Sequence, residues 1–164
     1  PDFRRPLWLG EPALADQTIL ICWEQGFGDT IQFCRYVPLV QALGAKVLLV
    51  VPPSLVPLLK TLDGVEQVLG PDEAVSDFDC YCPLMSLPLA FHTTLNTIPA
   101  PKAYLHADKS RSGFWSAKLQ QTGKKRVGIV WRGSGCNVIP TKINHYENNN
   151  TFISYIRLHH YTCQ

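Results

Sequence analysis

The stretch Gln25-Gly26-Phe27-Gly28-Asp29-Thr30 sets two glycines and a carboxylate side by side, directly after an apolar run. Glycine at 26 and 28 admits positive φ and lets a ligand approach the backbone closely. Backbone N–H groups at the start of a following helix can donate to anions or sugar oxygens. Asp29 adds a carboxylate to the same cleft; its plain alternative is to cap that helix. A dinucleotide fingerprint would need glycine where Ile31 stands and an acidic residue where Val51 and Pro52 stand, so the spacing argues against a NAD-type site.

Other residues compete for attention. Glu24 offers a second carboxylate, with a side chain that could point either way from a strand end. Arg35 is a partner for an anion or simply a solvated cation. Trp131 and Gly133 close a later apolar run, where Trp131 either lines a cleft or packs in the core. His92 is a candidate proton shuttle, or a histidine on a surface loop. His159-His160 with Cys163 is weak metal spacing, as is Cys80-x-Cys82 among six cysteines that include no C-x-x-C pair. No metal is expected, and the cysteines are expected to be small buried hydrophobes in a reducing cytosol.

Net charge is +2, and the longest basic run is Lys124-Lys125-Arg126, too little for the clustered basic face that nucleic acid requires. No apolar stretch approaches the roughly 20 residues of a membrane helix, and no apolar signal segment follows Pro1-Asp2-Phe3-Arg4-Arg5. A cytoplasmic protein with no membrane span is expected. At 46% hydrophobic and 17% charged residues, the chain has enough apolar surface to fold without a disulfide or metal. Beginning on proline, it is expected to be an internal piece of something longer.

The elements that position the loop follow from periodicity. Buried-type strands are predicted at 18–23, 46–51, 65–69, 77–82 and 125–131. A helix is predicted over 29–43, capped by Gly28 or Asp29, ended by Gly44 and kinked or divided by Pro38. Shorter helices are predicted at 54–62 and at 109–121, the latter capped by Asp108. Alternating strands and helices give an α/β fold with a parallel sheet and helices on both faces. The expected division is a leading segment at 1–17, a sheet domain at 18–124, the first strand of a further domain at 125–135 and an atypical tail at 136–164. That tail contains neither glycine nor alanine but most of the asparagines, including Asn148-Asn149-Asn150. It reads as foreign sequence, such as a frameshift or misjoined gene produces; a confirmed mature tail would overturn this.

The run Glu24-Gln25-Gly26-Phe27-Gly28-Asp29-Thr30-Ile31-Gln32-Phe33-Cys34-Arg35-Tyr36-Val37-Pro38-Leu39 resembles the signature of heptosyltransferase-like glycosyltransferase domains in bacterial tetratricopeptide-repeat proteins (GT-B, glycosyltransferase family 9-like). Further segments match in order: Pro6–Glu11, Phe78-Asp79, Pro83–Pro88, Ile98-Pro99-Ala100-Pro101 with Tyr104-Leu105, and Arg126–Trp131 with Gly133. The resemblance covers about residues 6–135. It implies a Rossmann-like half of a GT-B fold, with a nucleotide-sugar donor, a hydroxyl acceptor and no metal or other cofactor. It assigns Asp29 as general base, since an attacking hydroxyl must lose a proton. It places Gln25, Gly26, Phe27, Gly28, Thr30, Gln32 and Trp131 at the substrate.

The departure from the pattern is equally informative. Family members continue beyond the position of Gly133 into a donor-binding domain and carry upstream helical repeats; here a tail without resemblance begins at 136. The chain alone is therefore expected to be the acceptor-side half, inactive by itself. The alternative is a non-catalytic module that binds a sugar or a partner. A nucleotide-binding α/β protein of another class stays open on sheet pattern alone.

Overall fold

Alternating side chains of Thr18-Ile19-Leu20-Ile21-Cys22 are apolar on both sides, which suits a strand covered on two faces. In the computed structural model this segment is β1 (Thr18–Cys22), the second of four parallel strands counted from the β4 edge. The structure describes residues 4–119 and the short strands at 126–127, 147–148 and 151–153. It divides into two compact units, 1–113 and 114–164.

In the first unit, β2 (Lys46–Val50), β3 (Gln67–Leu69) and β4 (Cys80–Pro83) join β1 in the order β3-β2-β1-β4. Pairing Ile19 with Val47 and Cys80, and Leu20 with Leu48 and Tyr81, sorts the side chains into two faces. One face carries Ile19, Ile21, Val47, Leu49, Val68, Cys80 and Cys82 into the main core. The other buries Leu20, Leu48, Val50 and Leu69, with Cys22, Trp23, Phe78 and Tyr81 against them. Burying each such aliphatic side chain contributes on the order of 1.5–3 kcal/mol.

The expected 29–43 helix is two helices: α1 (Phe27–Phe33) and α2 (Val37–Ala42), separated by a 3-10 turn at Cys34–Tyr36. Pro38 falls in the first turn of α2, where its missing N–H has no intrahelical partner to lose. Gly44 then takes φ +88° and ends α2, as the sequence suggests. The 54–62 helix shrinks to a 3-10 turn at Pro53–Leu55 followed by α3 (Val56–Leu59). A short α4 (Leu87–Ala90) follows the 3-10 turn Leu84–Ser86 after β4.

Helices were expected on both sheet faces. Among the described residues, the buried side chains of α2, α3 and α4 all join the core of one face. The connection from β3 to β4, residues 70–79, contains no helix. It instead lays Phe78 against the opposite face, and Asp79 pins β4 to the start of β1 by accepting from Thr18 N–H at 2.7 Å.

The leading segment is part of the core. Leu7 bridges Tyr81 at the β4 edge, where Trp8 N–H donates to the Tyr81 carbonyl and Tyr81 N–H to the Pro6 carbonyl. Trp8, 1% exposed, packs edge-to-face on Phe91 at 5.9 Å and donates its indole N–H to Pro12 O. Gly10 sits at φ +111°, and a Cβ there would lie 2.7 Å from the Ala90 carbonyl, so this close approach requires glycine.

Helix α5 (Lys109–Lys118) begins under the Asp108 cap foreseen for it. The Asp108 carboxylate accepts from Arg111 N–H at 2.8 Å and from the Ser110 hydroxyl. The Ser110 hydroxyl and then the Arg111 N–H hold this carboxyl below its ordinary range. Within the second unit, β5 (Arg126–Val127) pairs in parallel with β7 (Thr151–Ile153), and β6 (Glu147–Asn148) pairs antiparallel with β7. Among the described residues no helix is long and apolar enough to cross a membrane.

Candidate functional site

The strand order places the site. From β1 the chain steps to β2 and β3 on one side, then returns to place β4 on the other. The strand order therefore reverses between β1 and β4, and open α/β sheets bind ligands above such a reversal, at the carboxyl ends of the strands. Cys22 pairs with both Val50 and Pro83, so β1, β2 and β4 end level. The loop at 23–26 and the turn at Leu84–Ser86 flank the crevice. Glu24 ties them together, its carboxylate accepting from Met85 N–H at 3.0 Å. The side chain thus braces the crevice by bonding across it, a role the sequence left open.

Within the loop, the two glycines differ from expectation. Gly26 is the N-cap of α1 at φ −69°, and Gly28 lies inside the helix, so neither has a positive φ. A Cβ at Gly28 would meet nothing within 4 Å, and one at Gly26 would meet only the Asp29 carboxylate, at 3.8 Å. Internal packing thus does not require glycine at either position; what glycine leaves is bare backbone at the mouth of the crevice. Replacing Gly28 by alanine is expected to stabilise the first unit by up to about 1 kcal/mol, because glycine is a poor helix residue. The same change is expected to weaken any ligand that rests on this backbone. Thermal unfolding and ligand titration of one variant read the two effects separately, and unchanged ligand affinity would show that no ligand approaches there.

Asp29 is the third residue of α1, not its cap, and no side chain caps the N-terminus of this helix. Its carboxylate is half-buried and has no hydrogen-bond or ion-pair partner among the described residues. Gly28 and Asp29 lie four and three residues before Gln32, which puts all three on one side of the helix. Gln25, Phe27 and Gln32 are exposed, Phe27 at 52%. Thr30 departs from the expected substrate contact: it is 1% exposed, and its hydroxyl donates back to the Gly26 carbonyl at 3.1 Å. Spaced one and two turns from Cys34 and Val37, it belongs to the buried side of the helical segment. Trp131 and Gly133 lie outside the described residues, as do His159, His160, Cys136 and Cys163.

Arg35 is half-buried and tied to the protein rather than standing free. It donates to Gln32 O at 2.8 Å, to Pro99 O at 3.3 Å and to the Tyr104 hydroxyl at 3.2 Å. His92 is exposed at φ +47° in the turn that ends α4, the surface position that was its alternative. Cys34, Cys80 and Cys82 are buried and Cys22 half-buried, all with free thiols. Burial raises Cys34 and Cys82 to about 12 and Cys80 to about 11, and raises Cys22 as well. They are not poised as nucleophiles. Among the described residues no group of three or more His, Cys, Asp or Glu is placed to hold a metal ion.

A four-stranded parallel sheet in the order β3-β2-β1-β4, with a glycine-bearing loop and the Glu24 and Asp29 carboxylates following β1, defines a Rossmann-like α/β domain. The chain is similar to Protein FlbA of Caulobacter vibrioides, with 27% identity over 158 residues that cover 84% of this chain and 26% of that protein. It thus spans little more than a quarter of that relative's length. No family model matches the chain, and no solved structure matches it.

Proposed function

We propose that this chain forms the acceptor-side half of a GT-B glycosyltransferase, in which Asp29 takes the proton from an acceptor hydroxyl as its oxygen bonds to the anomeric carbon of a nucleotide sugar and the bond from that carbon to the nucleotide's phosphate breaks, releasing the nucleotide. The observation that carries the reading is the half-buried Asp29 carboxylate, without a partner among the described residues, above the sheet's point of reversal and beside bare glycine backbone. A carboxylate tied into an ion pair would be a poorer base; this one is available to a hydroxyl within hydrogen-bond reach. The exposed amide of Gln32 on the same side of α1 supplies a donor and an acceptor for neighbouring sugar hydroxyls. Donor binding belongs to a further domain in the intact protein, alongside upstream helical repeats.

Calorimetry tests this division. A panel of nucleotide sugars is titrated into the 164-residue chain and into a longer protein that continues into a complete second domain. Binding by the longer protein alone is the expected result. Tight binding by the short chain would make the glycine loop a donor site and overturn the assignment.

A further inference from the structure

Helix α1 has only seven residues, too few to be stable by itself, and no side chain caps its N-terminus. Its C-terminus is capped from far along the chain. The Tyr104 hydroxyl donates to the Ile31 carbonyl at 3.1 Å. Arg35 folds back to donate to the Gln32 carbonyl at 2.8 Å, while its guanidinium lies 5.1 Å from the centre of the Tyr104 ring and donates to the Tyr104 hydroxyl. The guanidinium also donates to Pro99 O. Carbonyls in the last turn of a helix commonly lack intrahelical partners; here an arginine–tyrosine pair donates to two of them, the Ile31 carbonyl also accepting from the Cys34 thiol, and fastens the segment 98–105 to the helix. Leu105 packs beside Tyr104 on the core, and His106 N–H donates to the Thr61 hydroxyl, so the strap is also held just beyond the clamp.

We infer that Arg35 and Tyr104 are positioning residues: by clamping the C-terminal end of α1 they fix the rotation of the helix, and with it the direction of the Asp29 carboxylate. The importance of that direction for turnover rests on the proposed function; the clamp itself does not. Asp29 lies two residues before Ile31 and makes no side-chain bond among the described residues, so its placement depends on how the helix is held. Phenylalanine at 104 keeps the ring, its packing and its contact with the guanidinium, and removes only the hydroxyl.

The test uses the full chain with Tyr104→Phe, and Arg35→Lys as the second variant, since lysine keeps the charge but cannot reach three acceptors in a planar fork. Amide hydrogen exchange is followed from Thr30 to Cys34 together with the carboxyl carbon resonances of the aspartates. Protection in α1 is expected to fall about five- to tenfold on Tyr104→Phe, the effect of losing the one hydrogen bond that the hydroxyl makes to the helix itself, at the Ile31 carbonyl. The Asp29 resonance is expected to move while those of Asp16, Asp63 and Asp72 stay. Unchanged α1 protection with an unmoved Asp29 resonance would overturn the clamp. So would equal loss of protection in α1 and in the β1–β2 ladder, which marks a general loss of stability. In the intact protein, turnover gives a further reading: Tyr104→Phe should lower kcat with little change in KM, and should have no further effect once Asp29 is asparagine. A confirmed clamp beside an Asp29→Asn variant of normal turnover would reject the glycosyltransferase reading and leave the clamp standing.

Discussion

Asparagine in place of Asp29, in the intact protein, is expected to lower turnover by about 10²- to 10⁴-fold, the usual contribution of a positioned general base. The amide has nearly the same shape as the carboxylate but cannot take up the acceptor's proton. Folding should survive, because Asp29 has no partner among the described residues that would be left buried and unsatisfied. The loss of a negative charge from the first turn of α1 costs roughly 0.3–1 kcal/mol through the helix dipole. Turnover and the melting temperature are therefore measured on the same preparation. A large fall in rate with a small shift in melting supports the base assignment. Near-normal turnover removes it, and a rate that falls only as far as the folded fraction falls would assign Asp29 to the helix rather than to chemistry.

Trp8→Ala should destabilise the first unit by about 3–5 kcal/mol, in the range seen for large aromatic residues removed from a core. Trp8 is fully buried, its ring meets Phe91 edge-on and its indole N–H is satisfied by Pro12 O. The substitution leaves a cavity at the junction of the leading segment, the β4 edge and the end of α4, and leaves the Pro12 carbonyl without its donor. Against a typical domain stability of roughly 5–15 kcal/mol, such a loss leaves a marginal protein. Leu9→Ala is the control, since Leu9 is exposed and its removal should change stability by about 0.5 kcal/mol or less. Urea midpoints compare the two. Equal, small shifts would show that residues 4–14 are a detachable appendage, contrary to the packing seen here.

The elements of the sheet are legible from local pattern. Short runs such as Lys46–Val50 alternate between two apolar faces, and a strand with two apolar faces must be covered on both. Gly44 and Asp108 announce a helix end and a helix start because each acts on backbone groups within three residues of itself. Pro38 likewise divides its helix by a local steric effect. The place of the glycine-bearing loop, between β1 and α1, is readable in outline as well, because a buried strand followed by a helix leaves it few places to lie in a parallel sheet.

What decides the site is not local. Arg35 and Tyr104 are 69 residues apart, and nothing in the spacing around either one announces that a strap returns across α1. Glu24 reaches Met85, 61 residues on, only because β4 lies beside β1, and that adjacency is set by which strand edge the chain returns to. Thr30 and Asp29 are adjacent in sequence, yet helical rotation buries one and leaves the other partly exposed. The glycines show the same limit: residue type admits positive φ at 26 and 28, while the folded chain has none there, and among the described glycines positive φ falls at 10, 44 and 64. Sequence alone determined the strands, the turns and the residues with chemistry to offer, because those depend on neighbours along the chain. Tertiary structure alone decided which of them face the crevice and what holds them there, because hydrogen bonds and burial depend on neighbours in space.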